Sequence, residues 1–141
     1  MNSFKELEVW KACRELRLLI WKTVKSFPPE EKYRLTDQMI RASRSATTQI
    51  AEGYGRFHFQ ENIQFCRISR GSLFELIDHL TVAHDSEYIN EQEHNDLDQK
   101  TVRCIQLLNG YINYLVKAKD KYSGNQTSES GESYGTIAQP E

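Results

Sequence analysis

The side chains able to do chemistry in this chain are few and scattered. Glu91-Gln92-Glu93-His94 has the Glu-x-x-His spacing of di-metal carboxylate sites, where residues i and i+3 share one helix face. Such a site also needs a second Glu-x-x-His and a Glu from each of two further helices, and the sequence holds no second copy. Glu75 and His79, at i and i+4, can share one ion or simply pair with each other. Cys13, Cys66 and Cys104 lie far apart, are odd in number and sit among apolar residues, which predicts buried thiols rather than ligands, nucleophiles or disulfides. The four histidines read as surface or satisfied core residues. No serine stands in a nucleophile elbow, and no glycine loop is built to cradle phosphate. A metal-dependent enzyme is therefore the disfavoured reading, and no catalytic residue, metal or cofactor is expected.

Charge and aromatic placement are more informative. The net charge of −2 hides an asymmetry: residues 1–70 carry thirteen Lys/Arg against eight Asp/Glu, and residues 71–122 carry five against nine. No overall excess of positive charge draws the chain to polyanions, so contact with nucleic acid has to rest on local patches. Trp10 and Trp21 are eleven residues apart, close to three helical turns, with Arg14 and Arg17 between them on one face. Three readings stay open for that face: packing at a bundle edge, an interface between copies, where Trp and Arg are enriched, and a stacking surface for single-stranded nucleic acid.

Four long helices must position these residues. Ser3 with Glu6 reads as a capping box opening a helix that runs to Pro28-Pro29. A second helix is capped near Thr36 and stops in Gly53-Tyr54-Gly55. A third spans about Phe59 to Ser86, and a fourth follows the Asn90/Glu93 capping pair to about Tyr122. Residues 123–141, rich in Gly, Ser, Thr, Gln and Glu, read as a disordered polar tail after a single 1–122 domain. With 38% hydrophobic residues, no strand-like alternation, no apolar run near the roughly 18 residues of a membrane span and no signal peptide, the expectation is an all-α, antiparallel up-down-up-down four-helix bundle in the cytoplasm.

Val9, Cys13, Leu16, Ile20 and Phe27 form the core stripe of helix one, and Leu35, Met39, Ala42, Ala46 and Ile50 that of helix two. In helix four, Leu97, Cys104, Leu108, Tyr111, Leu115 and Ala118 form a seam that Ile105, Leu107, Ile112, Tyr114 and Val116 widen. Helices one and four thus offer more apolar surface than one bundle needs, which points to contacts between copies. Gly71 and Gly110, inside helices, each cost about 1 kcal/mol relative to Ala and predict close helix–helix approach. In the up-down topology Lys5, Arg56, His58, Lys117, Lys119 and Lys121 gather at one end and acidic residues at the other, an arrangement that helix dipoles partly explain. Arg41, Arg44, Arg67 and Arg70 add cations on helices two and three; they pair structurally or face phosphate.

Several of these segments resemble a known family. Phe4-Lys5-Glu6-Leu7-Glu8-Val9-Trp10-Lys11-Ala12, Tyr33-Arg34-Leu35-Thr36-Asp37-Gln38, Ile50-Ala51-Glu52-Gly53-Tyr54-Gly55-Arg56 and Phe65-Cys66-Arg67-Ile68-Ser69-Arg70-Gly71-Ser72-Leu73-Phe74-Glu75 are similar to segments of the bacterial 23S rRNA intervening-sequence proteins. The resemblance covers about residues 4–120 and implies an antiparallel four-helix bundle that forms ring-shaped homopentamers. A related branch, the accessory proteins of diversity-generating retroelements, implies binding to a reverse transcriptase and to nucleic acid through a strongly basic surface. A sequence pI near 6.1 fits that branch poorly.

The expected function is thus a non-enzymatic, oligomeric binding or scaffold protein whose basic end offers a surface to RNA or to a nucleic-acid-processing protein. Candidate binding residues are Lys5, Arg41, Arg44, Arg56, His58, Arg67, Arg70, Lys117, Lys119 and Lys121; candidate interface residues are Trp10, Arg14, Arg17 and Trp21. An accessory subunit for a reverse transcriptase is the second reading.

Overall fold

A computed structural model describes residues 3–125, and these are mostly helical, with no β-strand among them. Four α-helices follow one another: α1 (Glu8–Thr23), α2 (Leu35–Gly55), α3 (Phe59–Asp85) and α4 (Glu91–Asn125). α1 packs against α2 and α4, and α3 packs against the same two, so α1 and α3 stand at diagonal corners of an antiparallel bundle. α4 continues three residues past its expected end, and residues 126–141 of the expected tail lie outside the described residues.

The stripes read from periodicity form the core. Val9, Cys13, Leu16, Ile20 and Phe27 from the first helical segment, Leu35, Met39, Ala42, Ala46 and Ile50 from α2, and Leu97, Cys104, Leu108, Tyr111 and Leu115 from α4 are all buried. Ile105 and Ile112 are buried as well, and Leu107, Tyr114, Val116 and Ala118 pack against the core. Most of the wide apolar sector of α4 is therefore covered inside one copy, although Val102 stays exposed and Leu107 and Tyr114, only partly buried, line an open groove with Val9. α1 keeps the excess expected of it, with Leu18 and Trp21 exposed.

Local chemistry explains where the helices begin and end. Asn90 and Glu93 form the capping box: the Glu93 amide donates to Asn90 Oδ1 at 2.8 Å, and the Asn90 amide donates to Glu93 Oε1 at 3.1 Å. At the other end of that connection Glu87 turns left-handed (φ 62°), and the amides of Tyr88 and Glu87 donate to the carbonyls of Ala83 and His84, a Schellman closure of α3. Ser3 does cap, but over a 3-10 turn (Phe4–Glu6); extended backbone at Leu7 then drops that side chain into the core before α1 starts. The start of α2 is capped by Glu31, whose carboxylate accepts from the Leu35 amide at 3.3 Å, not by Thr36.

The glycines behave differently from their sequence reading. α2 does end at Gly55, as its sequence predicts, but both glycines are still helical and the left-handed residue that reverses the chain is Phe57 (φ 56°). Gly71 and Gly110 face open space, so no close approach inside this chain explains either. The tight contact belongs to Gly53: a Cβ there would lie 2.7 Å from Asn62 Oδ1 and 2.9 Å from Phe65 Cβ on α3. Small residues continue that seam, with Ser69 Oγ donating to the Ala46 carbonyl at 2.8 Å and Ser72 Oγ donating to Ser45 Oγ at 2.9 Å.

Gly53→Ala must push α2 away from α3 and should cost about 1–3 kcal/mol of stability. Gly110→Ala, with space for its methyl group, should gain about 0.5–1 kcal/mol. Chemical denaturation monitored by helical circular dichroism measures both.

Candidate functional site

The start of the chain, the α2–α3 connection and the end of α4 meet at one end of the bundle. Phe4 packs edge-on against Trp10 and Tyr54, with ring centroids 5.3 and 6.5 Å apart, and Phe59 lies 5.9 Å from Tyr122. The expected basic residues are gathered here, but their charges are unequally available. Arg56 lies over the Phe65 ring at 5.1 Å and is shared by two carboxylates, Glu52 at 3.3 Å and Glu61 at 3.9 Å. Lys119 Nζ donates to Gln60 Oε1 at 2.6 Å, and His58 is the residue that precedes α3. The side chains of Lys5, Lys117 and Lys121 are exposed and make no ion pair or hydrogen bond among the described residues. The free positive charge of this end is smaller than the residue list suggests, and these three lysines carry it.

The arginines of α2 and α3 divide between grooves. Arg41 pairs within its own helix with Asp37 at 3.7 Å, as Glu52 does with Arg56, so neither Arg41 nor Glu52 is tied to α3. Arg70 Nη1 donates to Asn109 Oδ1 on α4 at 2.8 Å, and Arg67 is exposed without a partner among the described residues. Arg44 stacks on Trp21, its guanidinium 5.5 Å from the ring centroid, while Lys25 approaches the same ring at 5.4 Å.

The two tryptophans do not form one exposed surface. Trp10 is half-buried against Phe4, whereas Trp21 is 46% exposed. The bundle edge explains Trp10. Trp21 lines a groove between α1 and α2 with Arg17, Leu18, Ile40, Ser43 and Arg44, a volume of about 190 Å³ whose walls carry two arginines and no carboxylate. Arg17 Nη1 donates to Thr47 Oγ1 at 2.9 Å, and Arg14 is exposed without a partner among the described residues. Apolar residues that the sequence reading did not single out stand on α3, where Ile68 and Phe74 are more than half exposed on either side of Gly71. The signal was available as apolar residues off the core stripe of helix three.

Most of the residues with catalytic or ligating potential are otherwise engaged. The Glu93 carboxylate is taken by the Asn90 amide, and Glu75 Oε2 lies 2.9 Å from His79 Nε2. Among the described residues no three His, Cys, Asp or Glu side chains converge as a metal site would require. His84 and His94 stack with ring centroids 4.6 Å apart, and His94 Nε2 is buried without a hydrogen-bond partner, so this one histidine is not the satisfied residue expected. All three cysteines are free and buried. The Cys66 thiol donates to Asn62 Oδ1 at 3.4 Å, and burial pushes its pKa up to about 12. Hydrogen bonding to Cys104, followed by burial, raises that of Cys13. The Cys66 and Cys13 thiols therefore stay protonated and unreactive at neutral pH, while the hydrogen bond with Cys13 lowers the pKa of Cys104.

These features define a class: an all-helical antiparallel bundle with a filled core and its polar chemistry on outer faces and one end. The family model for the 23S rRNA-intervening sequence protein matches residues 5–110, and the chain belongs to that family. Four solved chains match it in structure. One is a crystal structure, at 1.70 Å resolution, of a protein of unknown function from the S23 ribosomal protein family of Bacteroides thetaiotaomicron VPI-5482, with a TM-score of 0.69 at 20% identity over 74% of this chain and 95% of that one. That likeness establishes the fold. No curated protein matches the sequence. No helix among the described residues is long and apolar enough to cross a membrane.

The buried thiol gives a pH dependence with a defined sign. Cys66 ionises near 9.0 when unfolded and near 12 when folded, so its contribution to stability is complete below pH 9 and is lost as pH rises from there toward 12. Its share of the loss should be about 1.4 kcal/mol per pH unit in that window, absent in Cys66→Ala. Urea titrations at several alkaline pH values check it.

Proposed function

We propose that the protein acts as a non-catalytic assembly and binding protein: copies associate through outer helix faces, and the assembled particle binds RNA through its basic end. The observation that carries this reading is the α1 surface around Trp21. A filled core leaves Leu18 and Trp21 at 47% and 46% exposure beside a groove with two arginines and no acid. Exposed tryptophan and leucine on a helix whose own stripe is fully buried support a contact with another macromolecule. The family resemblance supports a homopentamer as the form that contact takes.

Lys5, Lys117 and Lys121 support the second half of the reading. They share one end, have no side-chain partner among the described residues, and lie where a ring with parallel bundle axes would repeat them on one side of the particle. Repetition multiplies a modest patch, because each phosphate neutralised releases counterions.

Light scattering at micromolar concentration should give a mass that is a multiple of 16.5 kDa, five-fold for the pentamer. A monomer under those conditions overturns the proposal. The triple change Lys5→Glu, Lys117→Glu and Lys121→Glu should leave that mass unchanged. It should also weaken binding of a single-stranded RNA at least tenfold and flatten the dependence of affinity on salt. RNA affinity unmoved by the triple change removes the basic end from the reading.

A further inference from the structure

The outer face of α3 holds a feature that folding of one copy does not require. Ser72 reaches Ser45 on α2 and Arg70 reaches Asn109 on α4, so the arc of α3 between these two directions, centred on Gly71, points away from the bundle. Gly71 is exposed in mid-helix and a side chain there would meet nothing, so its cost of about 1 kcal/mol relative to Ala is not offset within the chain. Ile68 at 52% and Phe74 at 56% exposure flank this gap, and Val82 follows further along. At about 100° per residue, Glu75, Asp78 and Asp85 fall on the same arc, with Arg67 its one base.

The α1–α2 groove has the complementary character. Trp21 and Leu18 project there beside Arg17, Lys25 and Arg44, and no carboxylate is among the residues that line the groove. Because α1 and α3 stand at diagonal corners, the two faces lie on different sides of the bundle and cannot meet within one chain. One is apolar with cations, the other apolar with anions and a gap where a side chain would stand.

We infer that these two faces are the two halves of one interface between copies. Trp21 and Leu18 of one copy seat over the Gly71 gap between Ile68 and Phe74 of the next, and the arginines of the first face Asp78 and its acidic neighbours on the second. The absent side chain at Gly71 is what admits the indole. Such a contact is heterologous: it repeats head to tail and must close into a ring or run on as a filament. A polyanion on the Trp21 groove is the competing occupant, but it would leave Ile68 and Phe74 uncovered. The inference rests on the assembly reading above and adds which surfaces mate.

Trp21→Glu and Gly71→Glu each alter one face at an exposed helical position. Each should reduce the light-scattering mass to the single chain's 16.5 kDa with helicity retained. An equimolar mixture should give twice that mass, because the intact groove of the Gly71→Glu chain meets the intact α3 face of the Trp21→Glu chain. If Gly71→Glu loses helicity, Ile68→Glu takes its place. Unmodified protein that assembles while either variant leaves its mass unchanged, or a mixture that stays monomeric, overturns this pairing and leaves the assembly reading standing. Unmodified protein that is monomeric overturns both. Loss of RNA binding in Trp21→Glu with no change of mass assigns the groove to nucleic acid and overturns the pairing.

Discussion

The close approach of α2 to α3 is the constraint on which the rest of the structure depends. At Gly53 the two helices come near enough that one methyl group would strike both Asn62 and Phe65. Along the same seam Ala46 and Ser45 meet Ser69 and Ser72, so small side chains and interhelical hydrogen bonds replace the interdigitated leucines found elsewhere in the core. Asn62, fully buried, is held there because its amide donates to Tyr111 Oη on α4 at 3.1 Å while its carbonyl accepts from Cys66. An unpaired buried amide would cost several kcal/mol, so the network sets both the separation of α2 from α3 and the register of α4 against them.

That seam also determines what reaches the surface. Drawing α2 onto α3 sends Ser72 and Arg70 sideways to the neighbouring helices and turns the Gly71 arc outward. On α2 the same rotation points Arg44 toward α1, where it meets Trp21 instead of a carboxylate. The short reversal at Phe57 brings Arg56 back over Phe65 and between Glu52 and Glu61, which uses the charge of one of the most prominent basic residues. Among the described residues this leaves Lys5, Lys117 and Lys121 without a side-chain partner at one end, and Trp21, Ile68 and Phe74 exposed on outer faces.

Most of the fold was legible because apolar periodicity and capping chemistry are local properties. The stripes of α1, α2 and α4 became the core apart from Ala118, which packs against it only partly buried, and the Asn90/Glu93 pair caps α4 as its spacing predicts. Less could be read of the candidate site. The side-by-side placement of Trp10 and Trp21 on a helical wheel was sound, yet Phe4, folding back from a 3-10 turn, covers one ring and not the other. The glycines misled for the same reason: composition shows that a glycine lacks a side chain but not which neighbour fills the space.

The sequence by itself determined four amphipathic helices, their order, their buried stripes and membership of a recognisable family, since each follows from spacing along one chain. Only the tertiary structure decided that Gly53 and not Gly71 is the point of contact, that α4 buries most of its wide apolar sector, and which cations are already spoken for. Those outcomes depend on distances between residues remote in sequence, such as the 2.8 Å from Arg70 to Asn109 and the 2.6 Å from Lys119 to Gln60, and no local pattern encodes a distance across the bundle.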